Sequence, residues 1–138
     1  MTVSASLRSL IAKRDNFQCA YCQTSEANCG LQMHVDHIIP VTAGGATRPD
    51  NICLACFACN IFKGSQQTAV DSITQQSVPL FHSVQQYWPD HFVWNEESTH
   101  IIGRTAIGRA TIEALQMNNV TVVRARRHWA DAGWHPPY

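Results

Sequence analysis

A chain of 138 residues with 45% hydrophobic content fits one domain, or one small domain with an elaborated tail, and excludes wholesale disorder. Ten basic side chains balance ten acidic ones, so net charge gives no support to a nucleic-acid partner. The longest apolar run, the eight residues from Ile52 to Cys59, falls far short of the ~20 that span a bilayer, which excludes a membrane helix.

The first residues lack the charged start and apolar stretch of a secretory signal, so the expected location is cytoplasmic. Residues 5 to 14 predict a short amphipathic helix with Ser6 as N-cap, Leu7, Leu10 and Ile11 on one face, and Asp15-Asn16 as its stop. Cys19 to Cys22 predicts a knuckle, and Gln23 to Gly30 a polar loop. Leu31 to Ile39 is apolar and β-prone, and Pro40 ends its pairing. Thr42 to Pro49 reads as a loop, Ile52 to Ala55 as a second strand, and Cys59 or Asn60 as the opening of a helix that runs toward Gly64.

Gln66 to Ser77 reads as a polar connector with weak helical character. Phe92 to Trp94 and His100 to Ile102 predict a hairpin around Asn95 to Thr99. Thr105 caps a helix carrying Ile107, Ala110, Ala114 and Leu115 on one face, and Asn118-Asn119 breaks it. A final helix sets Val122, Ala125, Trp129 and Ala132 on one side and Arg124, Arg127 and His128 on another, until Gly133 and Pro136-Pro137 end it. Residues 64 to 103 contain no Lys or Arg, whereas the tail beyond them is arginine-rich. Trp88, Trp94, Trp129 and Trp134 are expected to build a satellite core.

The chemistry concentrates in the first half. Cys19-x-x-Cys22 and Cys56-x-x-Cys59, with 33 residues between them, form a four-thiolate set of the kind that holds structural Zn²⁺. Six cysteines in an unexported chain favour metal over disulfides. Cys53 offers a rival register, because Cys53-x-x-Cys56 is also a CxxC, but in a strand it reads better as a small buried hydrophobe. Cys29 reads as a free thiol.

Between the two pairs lies a harder donor set. Asp36 offers an oxygen ligand suited to Mg²⁺ or Mn²⁺, and His37 can take a proton from water near neutrality. Asn51 can tie a loop to a backbone carbonyl, Asn60 can add a neutral oxygen to the metal, and Gly44-Gly45 shapes the intervening loop. His34 lies two residues before Asp36 and is a candidate for substrate contact.

From Arg14 to about Gly64 the chain resembles the HNH endonucleases, the zinc-stabilised ββα-metal or His-Me finger nucleases. The resemblance rests on Cys19-x-x-Cys22, Asp36-His37-Ile38-Ile39-Pro40, Gly44-Gly45, Asp50-Asn51 and Cys56-x-x-Cys59-Asn60-x-x-Lys63-Gly64, in that order, with His37 14 residues before Asn51 and 23 before Asn60. It implies His37 as general base, Asp36 and Asn60 as ligands of a catalytic Mg²⁺, Mn²⁺ or similar ion, and Asn51 as the residue that aims the base. It further implies a phosphate contact for Lys63, DNA as substrate, and 5′-phosphate and 3′-hydroxyl products. Asn60 stands where the family often has His, a familiar variant.

The expected fold is therefore α+β. A zinc-clamped nuclease core with its N-terminal helix spans 1–64, a connector 65–79, and a hairpin-plus-helices extension packed on the core 80–138. The expected activity is hydrolysis of DNA phosphodiesters, with Arg124, Arg127, His128 and His34 as further DNA-contacting candidates and no membrane partner. The rival reading is a non-catalytic zinc module that binds DNA or protein, and it leaves the Asp36, His37, Asn51 and Asn60 set without a purpose.

Overall fold

The computed structural model describes residues 3–137. Helix α1 (Ala5–Arg14) has the predicted span but is capped by Ser4, whose hydroxyl accepts from the Leu7 amide, two residues before the predicted Ser6 cap. Asp15 closes it, and its carboxylate then accepts from Leu54 N at 2.8 Å. Gln23 to Gly30 is not all loop: Ser25 caps the single turn α2 (Glu26–Cys29), and Gly30 ends it in the left-handed region.

Strands β1 (His34–His37) and β2 (Ile52–Ala55) pair antiparallel, with His34 opposite Ala55, Asp36 opposite Cys53 and His37 opposite Ile52. The strand predicted from Leu31 to Ile39 is thus shorter at both ends. β2 is buried along its whole length, and its free edge is covered rather than bare. There Ala20 N donates to Leu54 O at 2.8 Å and the Asp15 carboxylate takes the Leu54 amide, which satisfies backbone groups an edge strand would otherwise expose.

Helix α3 (Phe57–Lys63) begins at Cys56, three residues before the predicted start, because the Cys56 sulfur accepts from Cys59 N and serves as N-cap. Asn60 therefore sits within the helix and is not its cap. Two strands, one single-turn 3₁₀ segment (Val41–Ala43) and α3 make the ββα unit.

The stretch read as a weakly helical connector is a second hairpin. β3 (Thr68–Val70) pairs with β4 (Ser77–Pro79), and the turn between them is held by Asp71, which accepts from Thr74 N and Thr74 Oγ1. Arg109 forks onto Asp71 at 2.9 and 3.1 Å and ties this hairpin to the later helix Ala106–Ala114. That ion pair holds the Asp71 carboxyl well below the usual carboxylate range.

The hairpin predicted around Asn95 to Thr99 is the third among the described residues, β5 (Phe92–Trp94) with β6 (Ile101–Gly103), its second strand one residue later than predicted, and it is preceded by the turn α4 (Trp88–His91). Thr105 caps α5 (Ala106–Ala114) as expected, and Asn119 caps α6 (Val120–Asp131). Buried residues form one continuous cluster from Ile11, Tyr21 and Leu54 in the first half to Phe81, Phe92, Leu115 and Met117 in the second. Trp88 donates its indole N–H to Tyr21 O at 2.7 Å, so the extension is bonded directly to the cysteine knuckle. Trp88 and Trp94 pack with Phe92 as a satellite aromatic group, whereas Trp134 is exposed. No helix among the described residues is long and apolar enough to cross a membrane.

Candidate metal centres and active site

The sulfurs of Cys19, Cys22, Cys56 and Cys59 lie within 4.8 Å of one another, and those of Cys22 and Cys56 are 3.6 Å apart. A tetrahedral ion with metal–sulfur bonds of about 2.3 Å requires sulfurs about 3.8 Å apart, so the set fits Zn²⁺. Each CxxC turn also aims an amide back at its own first sulfur, Cys22 N at Cys19 and Cys59 N at Cys56, which suits a thiolate. Burial drives the Cys19 thiol well above its ordinary range, while hydrogen bonds from Cys19, Cys56 and Cys59 hold Cys22 well below it.

Cys53 is no part of it. Its side chain is fully buried in β2, and burial pushes its thiol up to about 12, the state of an inert core residue. The group of mutually close sulfurs consists of Cys19, Cys22, Cys56 and Cys59 and does not include Cys53. Cys29 is a free, partly exposed thiol at the end of α2.

The harder donors gather elsewhere, in a cavity of about 260 Å³ lined by Asp36, His37, Pro40, Val41, Asn60 and Gly64, among others. Asp36 is buried on β1, where Tyr21 Oη–H donates to Oδ2 at 2.8 Å and Lys63 Nζ lies 3.3 Å from Oδ1 and 3.2 Å from Oδ2. Burial raises the Asp36 carboxyl above its ordinary value, and Lys63 and Tyr21 oppose that rise. Lys63 is itself 1% exposed and also donates to His37 O at 3.0 Å. The lysine expected to reach for phosphate is therefore turned inward onto the carboxylate.

His37 follows on the same strand, half-buried, with Nε2 2.9 Å from Thr47 Oγ1. Asn51 does what an amide at this interval can do: Oδ1 accepts from Ile39 N at 2.9 Å, and Nδ2 donates to Ile39 O and Ala46 O, both at 3.0 Å. Those bonds fold the Gly44-Gly45 loop against the end of β1. A Cβ on Gly45 would stand 1.7 Å from Ile39 O and 2.8 Å from Asn51 Nδ2, so only glycine permits the approach.

His34 is exposed beside Phe57, with ring centroids 6.0 Å apart, and does not line the cavity. Arg124, Arg127 and His128 are exposed on α6, where Arg127 approaches Glu97 at 3.8 Å. Tyr21, Thr47 and Arg126 escaped the sequence reading. Tyr21 and Thr47 carry no local signal, since each meets its partner only through the fold. Arg126 had one: it lies four residues after Val122 and three before Trp129, within the apolar stripe. It is fully buried, with Nη1 donating to Thr99 O and Asn118 Oδ1, Nη2 donating to Met117 O, and its guanidinium 5.0 Å from the centre of the Trp94 ring.

Residues 19–66 match the model of the HNH endonuclease family. This segment is an HNH domain, of a class that generally consists of nucleases acting on DNA. No curated protein and no solved structure gives a significant match.

Proposed function

We propose that the protein is a metal-dependent endonuclease that hydrolyses DNA phosphodiester bonds. The observation that carries this reading is the convergence of Asp36, His37 and Asn60 on one open cavity within an HNH domain. A carboxylate and an amide are hard oxygen donors, so the set fits Mg²⁺ or Mn²⁺, and the four sulfurs fit Zn²⁺. Asp36 and Asn60 would hold the hard ion, which supplies Lewis-acid stabilisation of a pentacoordinate phosphate.

The remaining work falls to the chain itself. In the tautomer that donates Nε2–H to Thr47 Oγ1, 2.9 Å away, Nδ1 keeps its lone pair for the proton of an attacking water. Asn51 fixes the loop that carries Thr47 and so sets the aim of the base. An ionised carboxylate has about four lone-pair sites, so Tyr21 and Lys63 can orient Asp36 and still leave it capacity for an ion. In this reading Lys63 is a positioning residue, not a phosphate contact. Arg124, Arg127 and His128 offer an exposed basic face to the DNA backbone.

The test is nicking of supercoiled plasmid with Mg²⁺ or Mn²⁺, wild type against His37→Ala. Metal-dependent cleavage by the wild type that the variant loses supports the proposal. A protein that binds zinc and DNA without cutting it would instead be a binding module.

A further inference from the structure

Arg126 poses a question that nuclease activity does not answer. Its side chain is fully buried on α6, and no carboxylate pairs with it among the described residues. Four of its five N–H groups belong to the two Nη atoms, which donate to Thr99 O, Asn118 Oδ1 and Met117 O. All of those acceptors are neutral. The fifth, Nε–H, is buried and reaches no acceptor by ordinary hydrogen-bond criteria. A buried guanidinium is strongly disfavoured without an anion beside it, and a buried N–H without an acceptor adds to that cost.

The neighbourhood supplies one anion. Arg126 lines a space of about 20 Å³ together with Cys22, Cys56 and Cys59, three of the four clustered sulfurs, closed on its other sides by Leu115, Met117 and Val122. A space of that size admits about one water, and the guanidinium is close enough to Cys22, Cys59 and Cys56 for their charges to act on it. Four thiolates around one Zn²⁺ carry a net charge of two minus. The cluster could supply both the acceptor that Nε–H lacks and the negative charge that burial requires.

We propose that Arg126 is the outer partner of the tetrathiolate zinc centre, its Nε–H donating to a cluster sulfur and its charge offsetting the dianion. Outer partners of this kind orient ligands and tune the affinity of a site. The inference depends on the zinc reading but not on nuclease activity. It gives the C-terminal segment a definite role, because α6 then closes the zinc site of the HNH domain from outside the matched residues. It also explains why an arginine occupies an apolar stripe, since leucine would fill the volume but leave the dianion uncompensated.

Zinc content of the purified protein is measured first; a chain without zinc overturns both the zinc reading and the inference. The full chain is then loaded with ¹¹³Cd²⁺ in place of zinc, and proton–cadmium correlation is sought at the Arg126 Nε–H. A through-bond correlation is the expected result, and a folded, cadmium-loaded protein lacking it overturns the proposal. Chelator competition for zinc provides the second arm. Arg126→Met is expected to weaken zinc binding about tenfold or more, while Arg126→Lys, which keeps the charge, stays closer to wild type. Equal losses in the two variants would show that packing, not charge, is at work and would overturn the electrostatic part. Should Arg126→Met fail to fold, the cadmium measurement on the unaltered chain still decides.

Discussion

The two donor clusters of the HNH domain are built on opposite principles. The sulfur cluster is largely enclosed: Cys19, Cys22 and Cys59 are buried, Cys56 is half-buried, backbone amides aim at two of its sulfurs, and Val122 and Arg126 of α6 lie beside it. The oxygen and nitrogen cluster opens onto a cavity; Asp36 is held by Tyr21 and Lys63, His37 meets Thr47, and Asn51 ties the neighbouring loop. A closed tetrathiolate suits a structural ion, whose binding energy becomes folding energy. An open set with restrained side chains suits chemistry, which needs positions for substrate and water. The difference teaches that one small fold can divide stability from reactivity by softness of ligand and by access.

That division is broken most directly at the sulfurs. Cys56→Ser removes one of the four clustered sulfurs and the N-cap of α3 together, and the expected outcome is loss of zinc and of cooperative folding, read by elemental analysis and thermal unfolding. Cys53→Ser, in β2 and outside the cluster, should keep full zinc content. Equal zinc loss in both variants would make the closed cluster wider than the four sulfurs.

At the open cluster the largest effect is on rate. His37→Ala should lower plasmid cleavage by about 10² or more while folding and zinc content stay as in wild type, because a general base acts in the transition state. Asp36→Asn and Asn60→Ala should likewise cost activity without costing zinc. Zinc lost along with activity in these variants would show the two clusters to be a single functional unit.

Lys63 sharpens the boundary between them. If it orients Asp36, Lys63→Met leaves a buried carboxylate without its cation and should destabilise the zinc-loaded protein by about 3 kcal/mol in denaturant unfolding. A surface lysine reaching for phosphate would instead change DNA binding and leave stability within about 0.5 kcal/mol. The smallest expected effect lies on α6: Arg124→Ala/Arg127→Ala should flatten the slope of log K against log salt by about one unit per lost phosphate contact. An unchanged slope would leave that face solvated and without a DNA role.

How much of this was legible before the fold depends on distance along the chain. The cysteine pairs, the β1–β2 pair and the Asn51 tether are encoded by local motifs and by residue types with few other uses; the structure gathers the four cysteines, ties Asn51 to Ile39 and pairs the two strands over a shorter span than read. The helix caps shifted by a few residues because several hydroxyl or sulfur groups compete for each end, as Ser4 does with Ser6 and Cys56 with Asn60. The β3–β4 hairpin was illegible because Gln66 to Ser77 lacks alternating apolar residues; it is held by Asp71 and its pairing with Arg109, 38 residues on. The inward turn of Lys63 onto Asp36 spans 27 residues and follows only from the packing of α3 on β1. For Arg126 the helical stripe held the signal, but charge alone argued for the surface, and only the fold sets it among neutral acceptors and beside the cysteine cluster.

The central claim is that the open cluster performs phosphodiester hydrolysis while the closed one holds the fold. Supercoiled plasmid incubated with equal amounts of zinc-loaded wild type and zinc-loaded His37→Ala, with and without Mg²⁺ or Mn²⁺, tests it in one measurement. The expected result is divalent-dependent nicking or linearisation by the wild type and at least about a hundredfold slower cleavage by the variant. Cleavage by His37→Ala at the wild-type rate, or a fully zinc-loaded wild type that leaves the plasmid intact with either ion, would contradict it.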